Sequence, residues 1–127
     1  MVGIVVASHS KRLAEGVVEL AQMMAPNVPI AAAGGMEDDS TGTSCRKILG
    51  AMMQVYSEDG VAVLMDIGST AMTAEIAIEL LNRPNLKLVD CPLVEGAVVA
   101  AIEANQGKTL EEIEQRAVEA GSIRKLM

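Results

Sequence analysis

Aromatic side chains are almost missing from this sequence, which has no Trp, no Phe and one Tyr, Tyr56. Without aromatic faces there is no platform for stacking bases. Neither G-x-x-x-x-G-K-S/T nor G-x-G-x-x-G is present to cradle a nucleotide's phosphates. Positive charge is scarce too: 10 Lys and Arg stand against 17 Asp and Glu, a net charge of -7. That balance argues against nucleic acid or an anionic membrane surface as partner. No apolar run approaches the roughly 18 residues of a membrane span. The amino terminus MVGIVVASHS lacks the basic region of a signal peptide, so a cytoplasmic protein is expected. The two cysteines, Cys45 and Cys91, lie far apart with no second thiol or other histidine beside either. Neither a disulfide framework nor a zinc site is signalled, and packed, reduced thiols are expected.

What the sequence does have is apolar content, 50% of 127 residues, enough for a single domain over 1–127 to bury a core without disulfides or a structural metal. Gly3 to Ala7 is a β-branched apolar run, and Leu13, Val17, Leu20, Ala21 and Met24 then recur at helical spacing up to Pro26. The alternation continues with a strand from Pro29 to Ala33 and a helix from Cys45 to Tyr56 showing Ile48, Met52, Val55 and Tyr56 on one face. A strand from Val61 to Met65 precedes a helix from Ala71 to Leu81 with Met72, Ile76 and Leu80 stacked. A fourth strand, Leu86 to Val89, precedes a helix from Ala97 to Asn105. A last helix opens with a capping box, Thr109 and Glu112, and stops at Gly121. The tail from Ser122 to Met127 carries no assignment. The methionine pairs Met23-Met24 and Met52-Met53 read as half core, half surface.

Uninterrupted apolar strands alternating with amphipathic helices predict an α/β three-layer sandwich, since strands covered on both faces lose the in-out alternation. Right-handed crossovers leave few orders for a mainly parallel four-stranded sheet; with the first strand central, between the second and the third, the order is 2-1-3-4, with room for an extra edge strand. Ligands then bind beyond the carboxyl ends of the strands, at the switch point between strands one and three.

The unusual polar content sits after strand ends: Ser8-His9-Ser10, Gly34 to Ser44, Asp66 to Thr70, and Pro92 to Gly96. His9, the sole histidine, ends the first strand; a nucleophile results if one ring nitrogen is bare and the other is held. Asp66, closing the third strand, is the natural holder; if it holds the nearer nitrogen, Nε2 is the nucleophile, and the sequence itself leaves both ring nitrogens open. Gly68, Ser69 and Thr70 at a helix start offer backbone N-H groups and hydroxyls suited to a phosphoryl group. Gly35 and Thr43, in the longest glycine- and hydroxyl-rich loop, which also leads into a helix start, are further candidates for binding the phosphoryl group. Each has a plainer reading: His9 as a packed or capping residue, Asp66, Ser69 and Thr70 as helix caps, the loop as a flexible connection. Ser8 and Ser10 read as caps of the turn.

The segments "VVASHS", "AAAGG...GTS", "LMDIGST" and "PLVEG", in this order and spacing, resemble the phosphotransferase (M) subunits of phosphoenolpyruvate-dependent dihydroxyacetone kinase, within the mannose-type enzyme IIA domains. The resemblance covers essentially the whole chain. It implies that His9 accepts a phosphoryl group from the histidine-containing phosphocarrier protein and passes it to ADP on the L subunit of the kinase. It also implies a homodimer with no cofactor bound by this chain itself. Three other readings stand beside it: an enzyme IIA domain of a mannose-type sugar transporter, a receiver-like domain phosphorylated on Asp66, and a non-catalytic binding module. A relay between two proteins calls for a shallow, open crevice around His9.

Overall fold

A computed structural model describes residues 1–126. Four strands, β1 (Gly3–Ser8), β2 (Ile30–Gly34), β3 (Val61–Met65) and β4 (Leu86–Val89), alternate with α1 (Lys11–Met24), α2 (Cys45–Val55), α3 (Thr70–Leu81) and α4 (Leu93–Asn105). Helix α5 (Leu110–Glu119) and a 3-10 turn (Ala120–Ser122) follow. The sheet is parallel throughout, in the order β2-β1-β3-β4 that the alternation predicts. No fifth strand joins it among the described residues, so β4 is an edge, and Leu86, Lys87 and Leu88 are half-buried there.

Every residue of β1 is buried, as a strand covered on both faces requires. Ile4, Val6, Ala62 and Leu64 pack with α1, α4 and α5, while Val5, Ala7, Val61 and Val63 pack with α2 and α3. The helix starts are set locally. Ser10 caps α1 by accepting the Leu13 N-H, Ser44 caps α2 by accepting the Lys47 N-H, and Thr109 and Glu112 form the expected capping box on α5.

One sequence expectation needs correction, and two helices show inner faces that spacing alone leaves open. Helix α4 begins at Leu93 instead of Ala97: Pro92, with φ near -61°, opens it, and the Gly96 N-H donates to the Pro92 carbonyl at 2.7 Å. "PLVEG" is therefore largely a first helical turn and not a polar loop. On α3, Met72, Ile76 and Leu80 do form a stripe, but it points outward, 73%, 51% and 63% exposed, while Thr70, Ala74 and Ala77 face the sheet. Helix α1 behaves alike: Ala14, Val17 and Ala21 are buried, and Leu13, Leu20, Met23 and Met24 are exposed. In both helices small residues let the backbone approach the sheet closely, so the largest apolar residues are not the innermost. The second methionine pair does divide, Met52 inward and Met53 outward.

Cys45 and Cys91 are free thiols, both half-buried. Burial, then the neighbouring Asp90 charge, pushes the Cys91 thiol up to about 11. Among the described residues no helix is long and apolar enough to cross a membrane.

Candidate functional site

The register of the two central strands builds the site. Ala7 of β1 pairs with Met65 of β3, and the Asp66 N-H extends the ladder by donating to the Ala7 carbonyl at 3.2 Å. The two chains then leave the sheet side by side at the switch point, β1 into His9 and β3 into Asp66.

The pair meets as the strand ends suggest. His9 Nδ1 lies 3.3 Å from Asp66 Oδ1 and 3.2 Å from Oδ2, and the His9 backbone N-H donates to Oδ2 at 2.9 Å. Three further donors reach the carboxylate: the Ser8 hydroxyl to Oδ2 at 3.0 Å, the Ile67 N-H to Oδ1 at 2.8 Å, and the Thr70 hydroxyl to Oδ1 at 2.8 Å. Burial pushes the Asp66 carboxyl up, but hydrogen bonds from the His9 N-H, the Thr70 hydroxyl, the Ile67 N-H and the Ser8 hydroxyl outweigh it and bring the pKa down to about 2. Asp66 is thus ionised at neutral pH and can only accept. Nδ1 must carry its proton to bond with it, and in the neutral ring this leaves the Nε2 lone pair bare.

Nε2 points to the other side. The Ser69 hydroxyl lies 3.1 Å from it and donates to its lone pair. Ser69 stands at the N-cap position of α3, yet its side chain makes no capping bond, its hydroxyl being directed to the imidazole. Ser69 and Gly68 are exposed, and a Cβ at Gly68 would meet nothing within 4 Å, so the turn that opens α3 is free of packing neighbours there. The His9 side chain is 26% exposed and that of Asp66 12%, an accessible imidazole over a sheltered carboxylate.

The remaining residues singled out in the sequence fall elsewhere. Thr70 is fully buried and its hydroxyl lies 3.2 Å from Nδ1, on the carboxylate side of the ring and away from Nε2. Gly35, at φ +77°, donates its N-H to the Ser8 carbonyl at 3.1 Å, and the Thr43 hydroxyl pairs with that of Thr73 at 3.1 Å. Both brace the 35–44 loop, whose Gly42 N-H donates to the His9 carbonyl at 2.9 Å. Lys11 and Lys47 both pair with Asp39 in that loop, at 3.2 and 2.7 Å. Sequence reasoning did not anticipate the Ser8 contact; its signal was the β1–β3 register, which only the paired strands reveal. Among the described residues no group of three or more His, Cys, Asp or Glu is placed to hold a metal ion.

Comparison with known proteins gives a consistent answer. The family model described as "PTS system fructose IIA component" matches residues 3–114. The phosphoryl donor subunit DhaM of the PEP-dependent dihydroxyacetone kinase of Escherichia coli is 39% identical over 120 residues, 89% of this chain but 25% of that protein. The chain therefore spans about a quarter of the length of that relative. The phosphoryl donor subunit DhaM of PEP-dependent dihydroxyacetone kinase 2 of Listeria innocua is 34% identical over 119 residues, 91% of this chain and 95% of that one. A crystal structure of a protein described as of unknown function superposes with a TM-score of 0.86 at 30% identity, covering 99% of this chain and 98% of that chain. A dihydroxyacetone kinase of C. freundii shares the fold alone, with a TM-score of 0.68 at 18% identity over 96% of this chain and 25% of that one. From the match over residues 3–114 and the near full-length similarity to the Listeria subunit, the chain belongs to the PTS system fructose IIA component family.

Proposed function

We propose that this chain is a phosphohistidine relay subunit of a PEP-dependent dihydroxyacetone kinase. His9 accepts a phosphoryl group from the histidine-containing phosphocarrier protein and passes it to ADP bound on the L subunit, and the ATP formed there phosphorylates dihydroxyacetone. The observation that carries this reading is the polarised imidazole, with Nδ1 tied to an ionised carboxylate and Nε2 turned to the exposed Ser69 hydroxyl in a side chain 26% accessible. The relay operates in the cytoplasm and as a homodimer.

The chemistry follows from the geometry. The Nε2 lone pair attacks the phosphorus of the donor's phosphohistidine; the Nε2–P bond forms as the donor's N–P bond breaks, and the donor imidazole leaves with that electron pair. Nδ1 keeps its proton throughout, and Asp66 stabilises the positive charge that the ring gains. In the second step an oxygen of the terminal phosphate of ADP attacks the same phosphorus, and the Nε2–P electrons return to His9. Transfer of this kind is mostly positioning and charge stabilisation. Ser69 and the N-terminal turn of α3 at Gly68 are the donors for the phosphoryl oxygens. Thr70 acts through Asp66. Gly35 acts by holding the 35–44 loop against the end of β1, and Thr43 by holding it against α3.

The donor protein docks across the outer face of α3. The exposed stripe Met72, Ile76 and Leu80 runs away from the site, Ile67 lies beside Asp66 at its start, and Glu75 and Glu79 flank it. A partner with an apolar patch rimmed by cations complements that face and brings its own phosphohistidine to Nε2. The geometry weighs against phosphorylation of Asp66, because four donors besides the imidazole already occupy its oxygens.

Mass-spectrometric site mapping after incubation with phosphoenolpyruvate and the general phosphotransferase proteins tests the reading. An acid-labile phosphoryl group on His9 is expected, absent from His9→Ala and discharged on addition of L subunit and ADP. Label retained by His9→Ala rejects the acceptor. Discharge only to a membrane transport domain moves the destination to sugar uptake.

A further inference from the structure

Ser8 ends β1 with its side chain wholly enclosed. One step beyond the Ala7–Met65 pair, parallel register sets it beside Asp66, on the same face of the sheet. Its hydroxyl donates to Asp66 Oδ2 at 3.0 Å and accepts the Ser10 N-H at 3.0 Å. The same Oδ2 takes the His9 N-H and faces His9 Nδ1. With Ile67 and Thr70 on Oδ1, the carboxylate is held at both oxygens and cannot turn about its own axis. A hydroxyl is the small group that donates to a carboxylate and accepts from an amide at once; a methyl group does neither.

We infer that Ser8 is a positioning residue for phosphoryl transfer. Its hydroxyl holds the Asp66 carboxylate in the orientation that keeps the proton on His9 Nδ1 and the Nε2 lone pair turned to the exposed Ser69 side of the site. The inference rests on the reading of His9 as the phosphoryl acceptor. It explains why a polar side chain ends an otherwise apolar buried strand: the hydroxyl spends both its hydrogen-bonding roles inside the site, while capping of α1 falls to Ser10.

The chain's single histidine makes the test clean, because imidazole 15N resonances have one assignment. In the unaltered chain, at a pH where the ring is neutral, the shifts should show the proton on Nδ1. Ser8→Ala should draw the two nitrogen shifts together as both tautomers become populated. It should slow phosphoryl uptake roughly tenfold in kcat with KM unchanged, the size set by one hydrogen bond to an ionised group. Ser8→Thr, which keeps the hydroxyl, should restore both. Unchanged 15N shifts and rate in folded Ser8→Ala overturn the inference. A second measurement on the unaltered chain stands apart from any folding defect: the Ser8 hydroxyl proton should exchange slowly and give a cross-peak to the His9 amide, and rapid exchange overturns the inference as well. Failure of the unaltered chain to take label on His9 would sink the relay reading instead, while the tautomer result would stand alone.

Discussion

At the scale of the residue, Asp66 ties the site to the stability of the fold. In the unfolded chain its carboxyl titrates near 3.8, and in the folded chain at about 2. A depressed folded-state value contributes stability that is present in full above the unfolded value and is lost as pH falls from about 4 to about 2, where both states bind the proton. For a carboxylate this sheltered the contribution is on the order of 2 kcal/mol. Asp66→Asn should therefore be less stable than the parent at neutral pH, and the two should converge as pH falls through that window. Urea midpoints measured from pH 2 to 5 check this; parallel curves would show that Asp66 is not the titrating group. Asp38, Asp39, Glu95 and Glu112, also held low by hydrogen bonds, lower the acid stability of both chains alike. His9 and Asp66 were legible as candidates because each ends an apolar run at the switch point. The contacts of Ser8 to Oδ2 and of Ser69 to Nε2 were not, since they depend on strand register and on side-chain rotation at α3's first turn.

At the scale of the element, the close fit of α1 against β2 decides where His9 sits. Gly34 ends β2 in the space where α1 begins: a Cβ there would lie 2.7 Å from the Ala14 Cβ and 2.8 Å from the Lys11 Cα, and against the Ser10 carbonyl oxygen. All three neighbours belong to α1 or its cap, so the helix start must move to admit a methyl group. Gly34→Ala should destabilise the fold by about 2 kcal/mol, the usual cost of overpacking a tight contact. Its thermal midpoint should fall, and phosphoryl uptake should fall with it as His9 shifts on the displaced turn. A variant with the parent's melting curve would mean that the approach is looser than the structure shows. The same closeness explains which faces of α1 and α3 turn inward. Ala14, Ala21, Ala74 and Ala77 are the innermost residues because they take least room, and Leu13, Leu20, Met72 and Leu80 are displaced outward.

At the scale of the whole molecule, an acidic protein of net charge -7 carries an apolar stripe that starts near the His9–Asp66 pair. Isolated exposed apolar residues are ordinary, but a row along one helix marks a contact surface. Met72 is 73% exposed, so Met72→Glu should leave the melting temperature within a degree or so of the parent, as surface changes do. The same change should raise the KM for the phosphorylated donor protein about tenfold, the loss expected when an interface anchor is replaced by a charge. Transfer kinetics at varied donor concentration measure it, and an unchanged KM would remove α3 from the docking surface.

The sequence by itself determined the alternation of elements, the parallel sheet and its order, and the gathering of polar residues at the strands' carboxyl ends. These follow from hydrophobic period, chain connectivity and handedness, all of which are properties of a linear pattern. It also determined the caps at Ser10, Ser44 and Thr109, because capping is settled within a few residues. Only the tertiary structure decided which face of α1 and α3 turns inward, since both carry apolar residues on more than one side and the spacing between helix and sheet makes the choice. It alone brought Ser8 against Asp66 and Thr70 behind the imidazole, residues far apart in the chain whose meeting depends on the register of β1 with β3.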